Sequence, residues 1–121
     1  MNMINRERLT NLMAHEESRF LALHPKSGEA FKNAQKVMPG GVPMSWMAKW
    51  PGAYPIFVDT AQGAKFVDLD GNSYIDFCLG DTGSMTGHSP APTVKAISAQ
   101  MERGITAMLP TEDAAIVSKE L

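Results

Sequence analysis

The sequence predicts an α/β protein in which helices lead into a small antiparallel sheet and further helices follow it. Three observations carry this reading. Apolar residues recur at helical spacing on either side of Pro25, ahead of Pro39-Gly40-Gly41. Three short β-branched and aromatic runs between residues 56 and 79 are separated by Gln62-Gly63 and Asp70-Gly71-Asn72. A helical pattern led by Pro90 and Pro92 then returns.

The elements divide the chain into helices at 1–38, an irregular loop at 39–55, a β-meander at 56–79 and a final segment at 80–121. From Asn5 to Leu23, Leu9, Leu12, Met13, Phe20 and Leu21 form one face of an amphipathic helix, and Pro25 forbids its continuation. Ser27 is expected to cap a second helix, with Phe31, Ala34, Val37 and Met38 as its stripe. Between Val42 and Pro55 no period is visible, yet Met44, Trp46, Met47, Trp50 and Tyr54 crowd a stretch with three prolines. Such a loop is expected to lie against its own body, a partner or a ligand.

The runs IFVDT, AKFVDLD and SYIDFCL predict a three-stranded meander, with Phe57, Phe66, Val67, Tyr74, Ile75 and Phe77 as its apolar contacts. A sheet this small needs helices or a partner to pack on. In the third helix Val94, Ala96, Ile97 and Met101 make the buried face, Pro92 fits the first turn, and Gly104 serves as the C-terminal cap. In PTEDAAIVSKEL, Thr111 caps a fourth helix and Glu112 and Asp113 complement its dipole. That helix reads as having only just begun, so the chain is expected to be a piece of something longer.

Composition narrows the classes. The 121 residues are 44% hydrophobic and 20% charged with a net charge of −2, as in ordinary globular proteins rather than disordered ones. No apolar run approaches the ~20 residues of a membrane span. A charged N-terminus and a single cysteine lead us to expect a soluble, cytoplasmic protein with no membrane partner. Cys78, between Phe77 and Leu79, is expected to be a buried, inert thiol. Scattered lysines offer no footprint for nucleic acid. No Cys/His spacing suggests zinc, and Asp68, Asp70 and Asp76 lack the spacing of a calcium loop, so no metal site is expected; the aspartates read as solvated strand edges.

After the meander come Gly80, Gly83 and Gly87 around Asp81 and His88. Glycines at this density let a backbone turn sharply or approach something closely. Their spacing matches neither the dinucleotide fingerprint nor a phosphate loop. His88 has no partner carboxylate or second histidine nearby in sequence and reads as structural.

The order of a helix ending in VMPGGV, a meander containing FVDLDGNSYIDF, a small-residue loop ending in GH and a Pro-led helix resembles one family. It is similar to the N-terminal part of class III, fold type I pyridoxal-phosphate aminotransferases, within the subgroup of glutamate-1-semialdehyde aminomutases and β-amino-acid transaminases. The resemblance runs from about Phe31 to the end of the chain. It implies a homodimer that uses pyridoxal 5'-phosphate to move an amino group between an amine or amino acid and a keto or aldehyde acceptor. It further implies that the cofactor is held mainly by residues beyond Leu121, with no catalytic or cofactor-binding residue in this chain. What it assigns here is a substrate-facing wall: Ser45, Trp46, Met47, Asp81 and Thr82.

Two departures bear on substrate. Relatives commonly carry an arginine a few residues after PGG, suited to a two-pronged grip on a carboxylate. Here Val42-Pro43-Met44-Ser45-Trp46-Met47 contains none, and Lys49 would not reproduce the fork. Relatives also often place an aromatic residue where Asp81 stands; Asp81 is read either as a polar spot on that wall or as the cap of a local turn. The competing reading is a small, non-catalytic interaction module with Trp46 and Trp50 as binding anchors.

Overall fold

The computed structural model describes residues 4–121, which fall into two compact units dividing between His88 and Ser89. In the first unit, helix α1 spans Arg6–Leu23, and the Asn5 side chain at its N-cap accepts a 2.9 Å hydrogen bond from the Arg8 amide. Helix α2 spans Pro25–Ala34. Proline opens it because the first turn has no use for the missing N–H.

The N-terminal cap of α2 is not Ser27. The helix begins two residues earlier, and Ser27 lies buried inside it, with its hydroxyl accepting a hydrogen bond from the Phe57 amide at 3.2 Å. The capping acceptor is Asp70, which reaches from the sheet to take the amides of Lys26 and Ser27 at 2.7 and 3.0 Å. Because α2 ends at Ala34, Val37 falls outside the expected stripe and is exposed. Pro39–Gly41 forms a short 3-10 turn in which Gly41 adopts φ +70. A Cβ there would stand 2.7 Å from the Phe31 ring, so glycine is required twice over.

The sheet is the expected antiparallel meander, with strands in the order β1 (Val58–Gln62), β2 (Lys65–Asp68) and β3 (Ser73–Ile75). Gln62 pairs with Lys65 around the Gly63-Ala64 turn, and the register shifts between Val58 and Thr60. The strands are shorter than the sequence suggests. Phe77 lies beyond β3 and is 91% exposed, so it contributes nothing to the meander's packing; Cys78, beside it, is exposed rather than buried.

The interior of this unit is polar. Asp68, expected at a solvated strand edge, is only 1% exposed. One of its oxygens accepts the amides of Asp70 and Asn72, and the other accepts the Tyr74 hydroxyl at 2.9 Å and the Asn72 side chain at 3.0 Å. The buried His24 ring closes the cluster, with Nδ1 donating to the Phe20 carbonyl at 2.7 Å and Nε2 lying 2.7 Å from the Tyr74 hydroxyl. This network ties the α1–α2 junction to β2 and β3.

In the second unit, α3 spans Ala91–Met101 and α4 spans Glu112–Glu120. Pro92 sits in the first turn of α3, as the sequence predicts, but the C-cap is Glu102 rather than Gly104, which follows two residues later at φ +95. Neither helix contains a buried residue, so the face of Val94, Ala96, Ile97 and Met101 stands exposed. Thr111 occupies the N-cap position of α4 without a capping side-chain hydrogen bond.

Candidate functional site

Ser45, Trp46 and Met47 lie in a second 3-10 turn, Ser45–Ala48, closed by the Met47 amide on the Met44 carbonyl at 3.0 Å and the Lys49 amide on the Trp46 carbonyl at 3.1 Å. Trp46 is 62% exposed and Met47 half-buried. Both line an apolar groove of about 310 Å³ with Val42, Trp50 and the start of β1. Ser45 is exposed and is not part of the lining. Among the described residues the groove has no cation in its walls, so none of them takes the place of the arginine missing from the sequence.

Asp81 and Thr82 sit in the Gly80–Gly87 loop, exposed and outside that groove. Leu79, Gly80, Asp81 and Thr82 all have positive φ, at 54, 58, 53 and 78. A left-handed conformation costs a non-glycine residue about 1–2 kcal/mol. Turn hydrogen bonds offset this, chiefly the Ser84 amide on the Leu79 carbonyl at 2.8 Å. The Asp81 carboxylate has no partner among the described residues and caps no turn, so the capping reading does not hold.

Both ends of the loop are fastened. Asp76 Oδ1 accepts the amides of Cys78 and Leu79 at 2.8 and 3.0 Å, and its Oδ2 receives His88 Nε2 at 2.6 Å. The His88 side chain is 20% exposed and that of Asp76 11%. The His88 hydrogen bond, with the Leu79 and Cys78 amides, holds the Asp76 carboxyl below its ordinary value. His88 therefore has the carboxylate partner that its sequence neighbourhood lacks. The two lie twelve positions apart in sequence, and no periodic pattern marks such a pair. His88 also exchanges two backbone hydrogen bonds with Gly63, at 2.8 and 2.9 Å. A Cβ on Gly87 would stand 3.2 Å from Gly63, so the strand turn and the loop end meet through glycine.

Sequence reasoning also missed the Asp68–Tyr74–His24 cluster, although D-x-D-G-N carries the signal of an aspartate folded onto the amides two and four residues ahead. Burial would raise the Asp68 carboxyl, but hydrogen bonds from Asn72, Tyr74 and Asp70 outweigh it and hold it below the ordinary value. Burial and the Asp68 carboxylate together push Tyr74 up to about 12. Among the described residues no group of three or more His, Cys, Asp or Glu could hold a metal ion, and no helix is long and apolar enough to cross a membrane.

No family model matches the sequence. The chain is 39% identical over 95 residues to a glutamate-1-semialdehyde 2,1-aminomutase from Methanobrevibacter smithii, covering 78% of this chain and 22% of that protein. It is 44% identical over 88 residues to one from Desulfitobacterium hafniense, covering 72% and 20%. Its fold matches a glutamate-1-semialdehyde-aminomutase from Pseudomonas aeruginosa PAO1 with a TM-score of 0.86 and 43% identity, over 97% of this chain and 26% of that one. A β-phenylalanine aminotransferase from Variovorax paradoxus matches with a TM-score of 0.74 and 26% identity, over 84% and 23%. The chain thus spans about a fifth of the length of the curated relatives it matches. Nothing in these likenesses favours the interaction-module reading. Through shared sequence and shared fold, the chain belongs to the class III, fold type I pyridoxal-phosphate aminotransferases, in their glutamate-1-semialdehyde aminomutase-like subgroup, and corresponds to their N-terminal part.

Proposed function

We propose that this chain is the N-terminal portion of a pyridoxal 5'-phosphate-dependent aminotransferase or aminomutase, one that moves an amino group between an amine or amino acid and a keto or aldehyde acceptor. The observation that supports this most is the match to the Pseudomonas aeruginosa aminomutase at 43% identity over 97% of the chain. Glutamate 1-semialdehyde is the first substrate to try, because the relatives are named for it.

The residues of this chain do not by themselves make a place for the cofactor. The groove at Trp46 and Met47 is apolar and has no cation for a phosphate. We assign the cofactor to residues beyond Leu121 and derive no chemical step from this segment. What the segment offers is a wall for substrate: Trp46 and Met47 supply shape, Ser45 and Thr82 supply hydroxyls, and Asp81 supplies a free carboxylate. In this reading 1–38 are the N-terminal helices, 39–55 the substrate and interface loop, 56–79 the sheet of a small domain, and 80–121 the active-site loop and the start of the cofactor-binding domain.

The same reading makes the protein a cytoplasmic homodimer. Its support is the exposed apolar face of α1, with Leu9, Leu12, Met13 and Leu21, together with Trp46 and Trp50. The test is an amino-transfer assay of the full chain with pyridoxal 5'-phosphate, offering glutamate 1-semialdehyde and a panel of amines with keto acids. Amino transfer together with the cofactor's visible absorbance is expected. A full chain that takes up no cofactor and transfers no amino group refutes the reading, and sedimentation as an active monomer at micromolar concentration refutes the dimer.

A further inference from the structure

The Gly80–Gly87 loop has an unfavourable backbone and an exposed, partnerless carboxylate, yet it is fastened at both ends by one side chain. Asp76 reaches forward to the Cys78 and Leu79 amides, where the left-handed run starts, and across to His88, where the loop ends. Charge-assisted hydrogen bonds are about twice as strong as neutral ones, and this carboxylate makes three. The His88 backbone is in turn pinned to Gly63 at the β1–β2 turn. The loop is therefore a closed ring, Asp76–Leu79–Gly87–His88–Asp76, seated on the sheet. The described residues leave His88 Nδ1 without a partner, so the imidazole contributes to the ring only through Nε2.

We propose that Asp76 and His88 are positioning residues that hold this loop shut and so fix Asp81 and Thr82 for substrate. The proposal rests on the substrate-wall reading above. Without the clasp, the strained run Leu79–Thr82 relaxes toward ordinary backbone angles, and the Asp81 carboxylate loses its fixed direction. Neither Asp76 nor His88 takes a proton from substrate in this scheme. They act through the loop, so they govern how well a substrate is held more than how fast it reacts.

The experiment compares the full chain with its His88→Leu and His88→Gln variants. Glutamine keeps an N–H donor for Asp76 Oδ2; leucine does not. Two readouts are taken: hydrogen–deuterium exchange of the amides of residues 78–88, and KM and kcat for an amine bearing a distal cation against one without. In His88→Leu the loop amides should exchange ~10-fold faster, while those of residues 68–74 keep their protection. KM for the cationic amine should rise ~5–10-fold with kcat changed less than ~2-fold, and His88→Gln should restore both readouts. Unchanged exchange in His88→Leu overturns the clasp. Faster exchange with unchanged KM, or equal losses in kcat for every substrate, overturns the positioning role. If His88→Leu does not fold, Asp76→Asn replaces it: the amide oxygen still accepts Cys78 and Leu79, while His88 Nε2 loses its charged acceptor, and the same two readouts decide. A wild-type chain that transfers no amino group refutes the functional reading and the substrate role with it, while exchange alone still decides the clasp.

Discussion

Asp68 shows how much one side chain can organise. It is a carboxylate withdrawn from water, and it is tolerable only because backbone amides, the Asn72 side chain and the Tyr74 hydroxyl all donate to it. Asp68→Ala in the full chain should destabilise it by about 3 kcal/mol, since those donors stay buried with nothing to accept them. Tyr74→Phe, which removes one hydroxyl from the same cluster, should cost about 1–2 kcal/mol. Urea denaturation measures both. The cluster also sets a pH window. The folded Asp68 carboxyl lies below its ordinary value, so its stabilisation is complete above ~4 and drains as the pH falls through the folded value. Tyr74 is pushed up to about 12, so its contribution holds below the ordinary tyrosine range and is lost as the pH rises toward 12. Melting temperature against pH should fall at both ends, and Tyr74→Phe should abolish the alkaline part of that fall.

Substrate choice is argued at the same scale. A carboxylate facing a partly desolvated site repels anions and attracts cations by ~1–2 kcal/mol. Asp81→Asn should therefore lower selectivity for an amine with a distal cation or hydroxyl, by roughly 5–30-fold in the ratio of kcat/KM values. Met47→Arg should improve an acceptor whose carboxylate reaches the groove. Equal changes for all substrates would remove both residues from that role.

At the scale of elements, the notable device is a helix capped from a distance. α2 has no useful side chain at its own N-cap, where His24 stands, and Asp70 supplies the acceptor from the β2–β3 turn. An anion at a helix N-terminus also meets the positive end of the dipole. With those two amides, Asp70 sits below its ordinary carboxylate value even though partial burial opposes this. Asp70→Ala should release the first turn of α2 and unlatch it from the meander. Faster hydrogen exchange at Lys26 and Ser27, with the β1–β2 amides unchanged, is the expected result. Unchanged exchange there would show that packing by Tyr54 and Phe31, rather than the cap, holds the helix.

At the scale of the whole molecule, the buried apolar side chains among the described residues are Ala34 and Val42. Against them stand exposed Leu9, Leu12, Met13, Trp46, Val58, Ile75 and Phe77, with Ile97 and Met101 in the second unit. Ordering a backbone costs about 1–2 kcal/mol per residue, and burial of apolar surface is what ordinarily offsets it. Two small buried side chains do not. Residues 1–121 produced alone should therefore show no cooperative thermal transition, should bind a hydrophobic dye, and should take up no pyridoxal 5'-phosphate. A sharp calorimetric peak, or stoichiometric cofactor uptake in a titration, would contradict this.

Local chemistry alone determined the meander, because Gln62-Gly63 and Asp70-Gly71-Asn72 specify turns from adjacent residues and alternation specifies the strands between them. It determined the helix boundary at Pro25 for the same reason, since that backbone limit belongs to a single residue, whereas α2 ends at Ala34, ahead of the break expected at Pro39-Gly40-Gly41. The family, too, was legible in the order of VMPGGV, FVDLDGNSYIDF and GH. Only the tertiary structure decided which aspartates are buried, that Asp70 rather than Ser27 caps α2, that His88 has a carboxylate, and that Phe77 and Cys78 face outward. The Asp70 cap and the His88–Asp76 pair join residues 44 and 12 positions apart, and the donors around Asp68, though two to six residues ahead of it, enclose it only against His24. A polar side chain's type reveals that it needs a hydrogen bond, but which one it finds is settled only when the chain has folded.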